Sequence, residues 1–353
     1  MSNNNGRFRV HLIPSGHEFY AGTAESLVDA ALRNKLVLPY GCRNGSCGEC
    51  RARLVSGSVT WMPHSDSALT AEAKAQGEIL CCSTRAASDV TIETREVREA
   101  SDVPVRSLRV KVDQLEHLAP DVARVYLKLP EKRPLQYLAG QYVDITTDDA
   151  QKRSYSIANS PTTDERLEFH VRHVPGGAFS GQLFTGIKEK SLLRIEGPFG
   201  HFYLRDDSPR PLLFVAGGTG FAPVKAIIEY ALQRGVARPM WLYWGARAKP
   251  DLYLAALPEY WAVQHRHFRY IPVLSDPQPA DQWQGRVGFV HDAVTREHPD
   301  LSGFDAYVSG PPAMVHAARD HFLAAKLPVH QFFSDAFEPA RPAGDDAAAK
   351  KKA

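Results

Sequence analysis

Cys42-Arg-Asn-Gly-Ser-Cys47-Gly-Glu-Cys50 is the stretch that decides the fold of the N-terminal part of this chain. Four residues separate its first two cysteines, two separate the second pair, and Cys81-Cys82 follows about thirty residues later. Glycines flank and interrupt the loop, and glycine lets a backbone turn tightly. Three thiols on one short loop, with a remote fourth, indicate a sulfur-bound inorganic centre.

The spacing C-x4-C-x2-C with a distant fourth cysteine is the plant-type pattern for a 2Fe–2S cluster. Zinc is the alternative, although zinc ligands more often come as two close pairs. A disulfide framework is disfavoured in a chain of 353 residues with five cysteines and no apolar signal segment. The predicted ligands are Cys42, Cys47, Cys50 and Cys82. Because Leu80-Cys81-Cys82 reads as the end of a strand, Cys81 would face the other way as a small buried hydrophobic residue.

Size and composition set broad limits on the protein. A chain of 353 residues can form two or three domains, and 44% hydrophobic with 23% charged residues is typical of a globular protein. The net charge of +2 gives no reason to expect nucleic acid as a partner. No apolar run reaches membrane-spanning length, so we expect no membrane association and a reducing, cytoplasmic location. The segment 338–353 predicts a disordered tail.

Three segments with different patterns of apolar residues predict a multidomain α+β and α/β protein. Residues 6–98 show short strands around one helix that Ser26 would cap, as in a small ferredoxin-type module. Residues 104–206 open with a strand over 106–112 and continue with closely spaced strands broken by Gly and Pro, which predicts a six-stranded antiparallel barrel. Residues 209–337 alternate apolar strands with helices, which predicts a doubly wound parallel sheet.

Arg153-Ser-Tyr-Ser156 lies on a predicted strand of the barrel. Alternation puts Arg153 and Tyr155 on one face of the strand and Ser154 and Ser156 on the other. An aromatic face suits a ring system and a planar cation suits phosphate oxygens. An ordinary exposed strand is the other interpretation of these four residues.

Gly217-Gly-Thr-Gly220-Phe-Ala-Pro223 stands between an apolar strand and a helix, although it lacks the third glycine of the common dinucleotide fingerprint. Bare backbone amides at a helix N-terminus suit phosphate groups. Gly176-Gly-Ala-Phe-Ser180 also precedes a helix start, and Ser309-Gly-Pro-Pro312 ends the last clear strand. The glycine segments therefore predict phosphate-binding loops, and Gly217–Gly220, directly between a strand and a helix, is the stronger of the two signals.

Together these motifs resemble the ferredoxin–NADP reductase superfamily, and their order resembles its three-module iron–sulfur flavoprotein reductases, with an N-terminal β-grasp ferredoxin, a flavin-binding barrel and a C-terminal NAD domain. The resemblance implies that Tyr155 packs on the isoalloxazine of FAD, Arg153 pairs with its pyrophosphate and Ser156 approaches the hydride-accepting nitrogen. It implies that Ser309, where relatives often have cysteine, and Phe337, over the second flavin face, also act at the hydride step. A plain hydrophobic anchor is the alternative for Phe337.

The resemblance also implies two sets of cofactor-binding residues. The flavin set consists of Arg153, Ser154, Tyr155, Ser156, His170, Val171, Arg172, Gly177, Ala178, Phe179 and Ser180. The nicotinamide set consists of Gly217, Gly218, Thr219, Gly220, Pro223, Arg247, Gly310 and Pro311. Taken alone, His170 is better understood as a structural strand residue than as a catalyst. Arg247 does not decide between NADH and NADPH, and NADH is favoured.

Within the superfamily the chain is most similar to the reductases of CDP-6-deoxyhexose dehydrases, the CDP-6-deoxy-Δ3,4-glucoseen reductases. The resemblance implies that electrons pass from NADH to FAD, then to the 2Fe–2S cluster and on to an electron-acceptor protein, here such a dehydrase. The alternative is the reductase component of a bacterial mono- or dioxygenase. A non-enzymatic ferredoxin-type carrier is disfavoured by the glycine loop at Gly217, and a zinc-structured binding module is the remaining alternative.

Overall fold

The computed structural model describes residues 6–99, 103–130, 135–146, 152–161 and 166–338. These residues divide into two compact units, one formed by 6–99 with 337–338 and the other by 103–336. The predicted tail lies, apart from Glu338, outside the described residues. The predicted domain limits 6–98, 104–206 and 209–337 remain predictions, and the last two of these segments fall within the second unit.

The first unit is built on a five-stranded sheet in the order β2-β1-β8-β4-β6, with a parallel central pair β1 and β8. Its elements are β1 (Arg7–Ile13), β2 (Glu18–Gly22), α1 (Leu27–Arg33), β3 (Leu36–Val37), β4 (Arg51–Ser56), β5 (Val59–Trp61), α2 (Ala71–Ala75), β6 (Glu78–Leu80), β7 (Thr84–Ala86), β8 (Val90–Glu93) and β9 (Arg98–Glu99). Two small antiparallel pairs, β3–β9 and β5–β7, complete it.

Local sequence explains where α1 begins and which side it buries. The Ser26 hydroxyl accepts a hydrogen bond from the Asp29 amide at 3.1 Å, which satisfies one of the free N–H groups of the first turn. Leu27, Ala30 and Ala31 are fully buried. The predicted cap and apolar face of this helix are therefore confirmed.

The first half of the second unit is a sheet of six antiparallel strands in the order β13-β12-β15-β10-β11-β14. Its elements are β10 (Arg106–Ala119), β11 (Val122–Lys128), β12 (Tyr142–Thr146), β13 (Lys152–Ser156), β14 (Arg166–Arg172), α3 (Ala178–Thr185) and β15 (Leu192–Phe199). Just beyond β13, the Ala158 amide donates to the Glu168 carbonyl of β14 at 2.8 Å, so the two edge strands meet. The predicted six-stranded antiparallel barrel is confirmed.

The second half is a parallel sheet of six strands in the order β19-β18-β17-β16-β20-β21. Its elements are β16 (Leu212–Gly217), α4 (Phe221–Gln233), β17 (Met240–Ala246), α5 (Ala256–Gln264), β18 (Phe268–Leu274), β19 (Arg286–Val287), α6 (Val290–Glu297), β20 (Asp305–Gly310), α7 (Pro312–Ala324) and β21 (Phe332–Ala336). The strand order reverses between β16 and β20, and ligands of such folds bind outside the carboxyl ends of the strands at that point. The predicted doubly wound fold is confirmed.

Among the described residues, no helix combines the length and the apolar character needed to cross a lipid bilayer.

Candidate functional site

The four predicted cysteine ligands lie together in the first unit. The sulfur atoms of Cys50 and Cys82 are 3.1 Å apart. The amides of Ser46 and Cys47 each donate to the Cys42 sulfur at 3.4 Å. Backbone N–H groups directed at sulfur stabilise negative charge on a thiolate and tune a bound metal.

The loop around these sulfurs has no room for side chains at its glycine positions. A Cβ atom on Gly45 would lie 2.2 Å from the Ser83 hydroxyl oxygen, and its φ of +77° favours glycine in any case. Gly48 has the same φ of +77°, and a Cβ on Gly41 would lie 3.3 Å from the Cys47 sulfur. A tight cradle lined by four sulfurs fits a compact iron–sulfur cluster.

The adjacent cysteines differ in their surroundings. Cys82 directs its sulfur at Cys50, whereas Cys81 is 1% exposed and no sulfur–sulfur contact of its side chain is found among the described residues. Strand β6 ends at Leu80, and Cys81 and Cys82 open a single 3₁₀ turn. A turn, not the alternation of a strand, therefore separates the two thiols, and this placement supports Cys82 as the fourth ligand.

In the second unit, strand β13 presents Tyr155 on its inner side. The Tyr155 ring packs against Phe179 with ring centroids 5.0 Å apart, and burial raises the pKa of the tyrosine hydroxyl above its ordinary value. On the opposite side of the strand, the exposed Ser154 hydroxyl donates to Asp144 at 2.7 Å. Arg153 is half-buried and donates to the carbonyl of Lys152 at 3.0 Å. Phe179 therefore supports Tyr155 from one side, and Ser154 is engaged by a carboxylate.

Ser156 is joined to the last strand of the parallel sheet. Its hydroxyl donates to the Asp335 carboxylate at 2.8 Å across 179 residues of sequence. Asp335 lies on β21, and the half-buried Phe337 follows that strand and groups with the first unit. The carboxylate fixes the direction of the Ser156 hydroxyl, and sequence reasoning missed it.

The segment before α3 forms a tight turn. The Ser180 hydroxyl accepts a hydrogen bond from the Val174 amide at 3.2 Å. A Cβ atom on Gly177 would lie 2.5 Å from that hydroxyl, so only glycine fits at the start of this helix. Val171 and Phe179 are buried in the barrel core. Both contribute packing, and the Gly177 amide donates to the Val174 carbonyl at 2.8 Å within the turn. Ala178 begins α3.

The glycine loop after β16 packs closely against the loop after β20, at the point where the strand order reverses. A Cβ atom on Gly220 would lie 2.1 Å from the Ser309 carbonyl oxygen, and one on Gly217 would lie 2.5 Å from the Met314 sulfur. Gly310, which precedes Pro311, has a φ of +144° and approaches the Gly217 backbone. These contacts require glycine and keep side chains out of the crevice.

Two groups with polar atoms that lack a hydrogen bond among the described residues border this loop. One is the guanidinium of the half-buried Arg172, whose buried Nε and Nη2 atoms make no hydrogen bond; the Asp121 carboxylate lies 3.5 Å from Nε. That guanidinium would lie 3.6 Å from a Cβ atom on Gly218. The other is the fully buried hydroxyl of Ser309. A cation and a hydroxyl with free hydrogen-bonding capacity beside bare amides fit the phosphate and amide groups of a dinucleotide.

Aromatic side chains hold the glycine loop in place. The indole nitrogen of Trp244 donates to the Gly218 carbonyl at 3.0 Å, and the Trp244 ring stacks on Phe221 with centroids 4.0 Å apart. Thr219 is half-buried in the loop, and Pro223 is buried in the first turn of α4. Helix α4 starts two residues before Pro223, at Phe221.

Arg247 follows β17, the strand that carries Trp244, and its side chain is exposed. The Arg247 carbonyl accepts a hydrogen bond from the Asp276 amide at 2.9 Å. The backbone of this position is therefore tied to the loop after β18, while its guanidinium faces solvent.

A buried polar network joins the barrel to the parallel sheet. Lys225 of α4 donates to the Glu168 carboxylate at 2.9 Å and to the Ala158 carbonyl at 3.0 Å. His170 lies 2.9 Å from Glu168 through Nε2 and 2.9 Å from the Tyr253 hydroxyl through Nδ1. Both nitrogens of His170 are thus used within the protein, which supports a structural role for this residue.

The charges of this network balance inside the protein. Burial acts to raise the pKa of Glu168, but the His170 hydrogen bond and the Lys225 charge outweigh it and hold that pKa at about 2. Burial acts to lower the pKa of Lys225, and the two carboxylates beside it raise it. Burial raises the pKa of Glu229 although Lys225 lies 2.9 Å away, so Glu168 is the main counter-charge of the lysine. Burial lowers the pKa of His170 and keeps the ring neutral.

Comparison with known proteins agrees with this geometry. The chain matches a 2Fe–2S iron–sulfur cluster binding domain over residues 10–87, an oxidoreductase FAD-binding domain over 109–203 and an oxidoreductase NAD-binding domain over 214–320. It is 41% identical to the CDP-6-deoxy-L-threo-D-glycero-4-hexulose-3-dehydrase reductase of Yersinia pestis, covering 94% of this chain and 99% of the relative. The chain belongs to the three-module iron–sulfur flavoprotein reductases of the ferredoxin–NAD(P) reductase superfamily.

Two further matches are to reductases of oxygenase systems. The chain is 36% identical to component 1 of the terephthalate 1,2-dioxygenase reductase of Comamonas, covering 93% of this chain and 97% of the relative. The crystal structure of the Amycolatopsis cytochrome P450 reductase GcoB superposes with a TM-score of 0.77 at 34% identity, covering 95% of this chain and all of that one. The relatives named here thus serve both dehydrase and oxygenase partners.

The protein is therefore an NAD(P)H-dependent iron–sulfur flavoprotein oxidoreductase whose electrons leave for a partner protein. When bound, FAD takes two electrons at once from a nicotinamide and delivers them singly to a 2Fe–2S cluster. The part of the chain itself is to hold and position these groups.

Proposed function

We propose that this reductase supplies electrons from NADH to a dehydrase that acts on a CDP-6-deoxyhexulose. The observation that carries the proposal is the greater identity with the dehydrase reductase than with the oxygenase reductase, over nearly the full length of both chains. A cytoplasmic location is part of the proposal because a reducing compartment keeps the cysteines as thiols.

In this proposal Cys42, Cys47, Cys50 and Cys82 hold the cluster. Their support is the convergence of four sulfurs in a loop that admits no side chain at its glycine positions. The thiol of Cys81 remains a packing group.

The flavin ring is assigned to the inner side of β13. Tyr155 offers an aromatic face that Phe179 supports from behind. Ser156 offers a hydroxyl whose direction Asp335 sets. The hydroxyl donates its hydrogen bond to the carboxylate, so the lone pairs of its oxygen can accept a hydrogen bond from a ligand. Arg153 is assigned to the flavin pyrophosphate because a half-buried guanidinium on the same face as Tyr155 suits that anion.

The nicotinamide dinucleotide is assigned to the crevice between the loops after β16 and β20. Arg172, which the resemblance placed in the flavin set, lies beside Gly218, so its guanidinium is assigned here to phosphate together with the amides of Gly217–Gly220. The Ser309 hydroxyl is assigned to a polar group of the nicotinamide. NADH is the proposed donor. Arg247 is the arginine that could bind the 2′-phosphate of NADPH, but its side chain is exposed to solvent and so gives little reason to prefer NADPH. The ratio of kcat/KM for NADH and NADPH tests the donor: NADPH preferred over NADH contradicts it.

Reconstitution tests the partner. The reductase, NADH, a CDP-6-deoxyhexulose-3-dehydrase and its CDP-sugar substrate are mixed, and the reduced sugar product is measured against NADH consumed. We expect product in proportion to NADH and none with the Cys47→Ser variant. The comparison arm replaces the dehydrase by the oxygenase component of a terephthalate dioxygenase with terephthalate and oxygen.

A second candidate function is the reductase of an oxygenase, favoured by the similarity to GcoB along the whole chain. Coupled turnover in the oxygenase arm together with an inactive dehydrase arm would replace the first proposal by the second. Cytochrome c reduction by the same preparation confirms that the reductase itself is active in both arms.

A further inference from the structure

Two histidines and an aspartate converge on the helices α6 and α7, and no step of electron transfer uses them. The side chains are His291 and Asp292 of α6 and His321 of α7, and their ligand atoms all lie within 4.8 Å of one another. The Asp292 carboxylate is 3.2 Å from His321 Nδ1 and 3.9 Å from His291 Nε2. We propose that these three residues form a binding site for Zn²⁺ or a similar divalent transition metal ion.

The chemistry of the three donors is that of zinc. Imidazole nitrogen and carboxylate oxygen bind zinc at about 2.0–2.2 Å, so ligand atoms in a tetrahedral site lie about 3.3 Å apart. The separations of 3.2 and 3.9 Å come within small side-chain rotations of that value. Three protein ligands leave one position for water, as in open zinc sites. The nitrogen ligands favour zinc, nickel or copper over magnesium.

The position of the His291 ring gives a second reason. Its side chain is only 9% exposed, and its Nε2 atom faces the Asp292 carboxylate at 3.9 Å. Phe289 stacks on the ring at 5.5 Å between centroids and 7° between planes, which fixes its orientation.

Each of the two helices that the ion would join contacts a glycine near the end of a strand of the parallel sheet. Val290, the first residue of α6, lies 2.9 Å from the position of a Cβ atom on Gly245 at the end of β17. Met314, in the first turn of α7, contacts Gly217 of the glycine loop in the same way. A metal ion bound by both helices would therefore link α6, which packs on β17, to α7, which packs on β16. The site does not depend on the identity of the electron acceptor.

Isothermal titration of the holoenzyme with ZnCl₂ tests the site. We expect one zinc ion per chain at this site, and an affinity weakened about tenfold or more by His291→Ala, His321→Ala or Asp292→Asn. His330→Ala is the matched control, because that histidine is exposed on a separate segment, and its affinity should equal that of the unchanged protein. The visible absorption of the flavin and cluster should stay constant during the titration.

A thermal measurement covers the case in which His291→Ala folds poorly. Zinc should raise the unfolding temperature of the unchanged protein and of His330→Ala, while the exposed substitutions Asp292→Asn and His321→Ala should remove that rise. Magnesium at the same concentration should have no effect. Absence of binding, equal binding by all variants, or zinc uptake accompanied by loss of cluster absorption would each overturn the proposal.

Discussion

Replacing Lys225 by methionine is expected to destabilise the unit of residues 103–336 by about 3 kcal/mol. Lys225 and Glu168 each expose 5% of their side chains, and their charged atoms are 2.9 Å apart. Methionine keeps the apolar stem but removes the cation, so Glu168 would remain buried with only His170 beside it. Breaking a buried ion pair by removing one partner costs about 3–5 kcal/mol, because the remaining charge has lost its partner.

The pKa of Glu168 gives a similar magnitude. The interactions with His170 and Lys225 hold that pKa at about 2, against an ordinary value of 4.5, which corresponds to about 3 kcal/mol. Since the pKa is lower in the folded protein, this contribution is fully present above about pH 4.5 and is lost as the pH falls towards 2. The effect of Lys225→Met should therefore be large at pH 7 and smaller at the acid end of the stability range.

Differential scanning calorimetry at pH 7 measures the effect. A loss of about 3 kcal/mol lowers the unfolding temperature of a unit of this size by about 6–12 °C. Lys326→Met is the matched control: Lys326 also lies 2.9 Å from a carboxylate, that of Asp300, but it is 72% exposed, so no resolvable shift is expected. The double variant Lys225→Met/Glu168→Gln should recover part of the loss, because it removes the unpaired charge.

The reasoning fails if Lys225→Met unfolds within about 2 °C of the unchanged protein, the shift that less than 1 kcal/mol would cause. It also fails if the double variant is less stable than Lys225→Met. Either result would mean that Glu168 does not depend on Lys225 for its charge, and the network would then be held mainly by His170 and its packing.

Four further predictions concern the cofactor sites. Cys47→Ser should abolish cytochrome c reduction but spare ferricyanide reduction by NADH, and equal loss of both would contradict a cluster downstream of the flavin. Cys82→Ser should lower iron and acid-labile sulfide per chain while Cys81→Ser keeps both; the reverse pattern would exchange their roles. Tyr155→Ala should lower the amount of flavin released per chain on denaturation. Asp335→Asn should keep the flavin but slow its reduction by NADH about tenfold, because one charge-assisted hydrogen bond is lost. An unchanged rate of flavin reduction in stopped-flow measurements would exclude a positioning role for Asp335.

The sequence predicted those features whose cause is local. The Ser26 cap and the alternating or continuous apolar strands depend on residues a few positions apart, and the structure places them as expected. Strand β10 runs on to Ala119, beyond the predicted end at residue 112, because bulges near Val112 and His117 let it bend and keep its pairing with β11. Such irregularities have no signal in hydrophobic alternation.

The site features that sequence reasoning missed depend on contacts between distant segments. Ser156 and Asp335 are 179 residues apart, and Lys225 and Glu168 are 57 apart. A lysine on an amphipathic helix is ordinarily solvent-exposed, so its burial follows only from the packing of α4 against the barrel. The free hydrogen-bonding capacity of Arg172 and Ser309 likewise appears only once the loops after β14, β16 and β20 are assembled.

The division into two units allows the cysteine-bearing unit and the nucleotide-binding unit to change separately during evolution. The barrel and the parallel sheet, joined through Lys225 and Glu168, belong to one unit, whereas the cysteine-bearing residues 6–99 belong to the other. A change of electron acceptor during evolution can therefore involve surface substitutions in a module of about one hundred residues, while the unit that binds the nicotinamide stays unchanged. This separation into two units is consistent with relatives whose electron acceptors are as different as a sugar dehydrase and a dioxygenase.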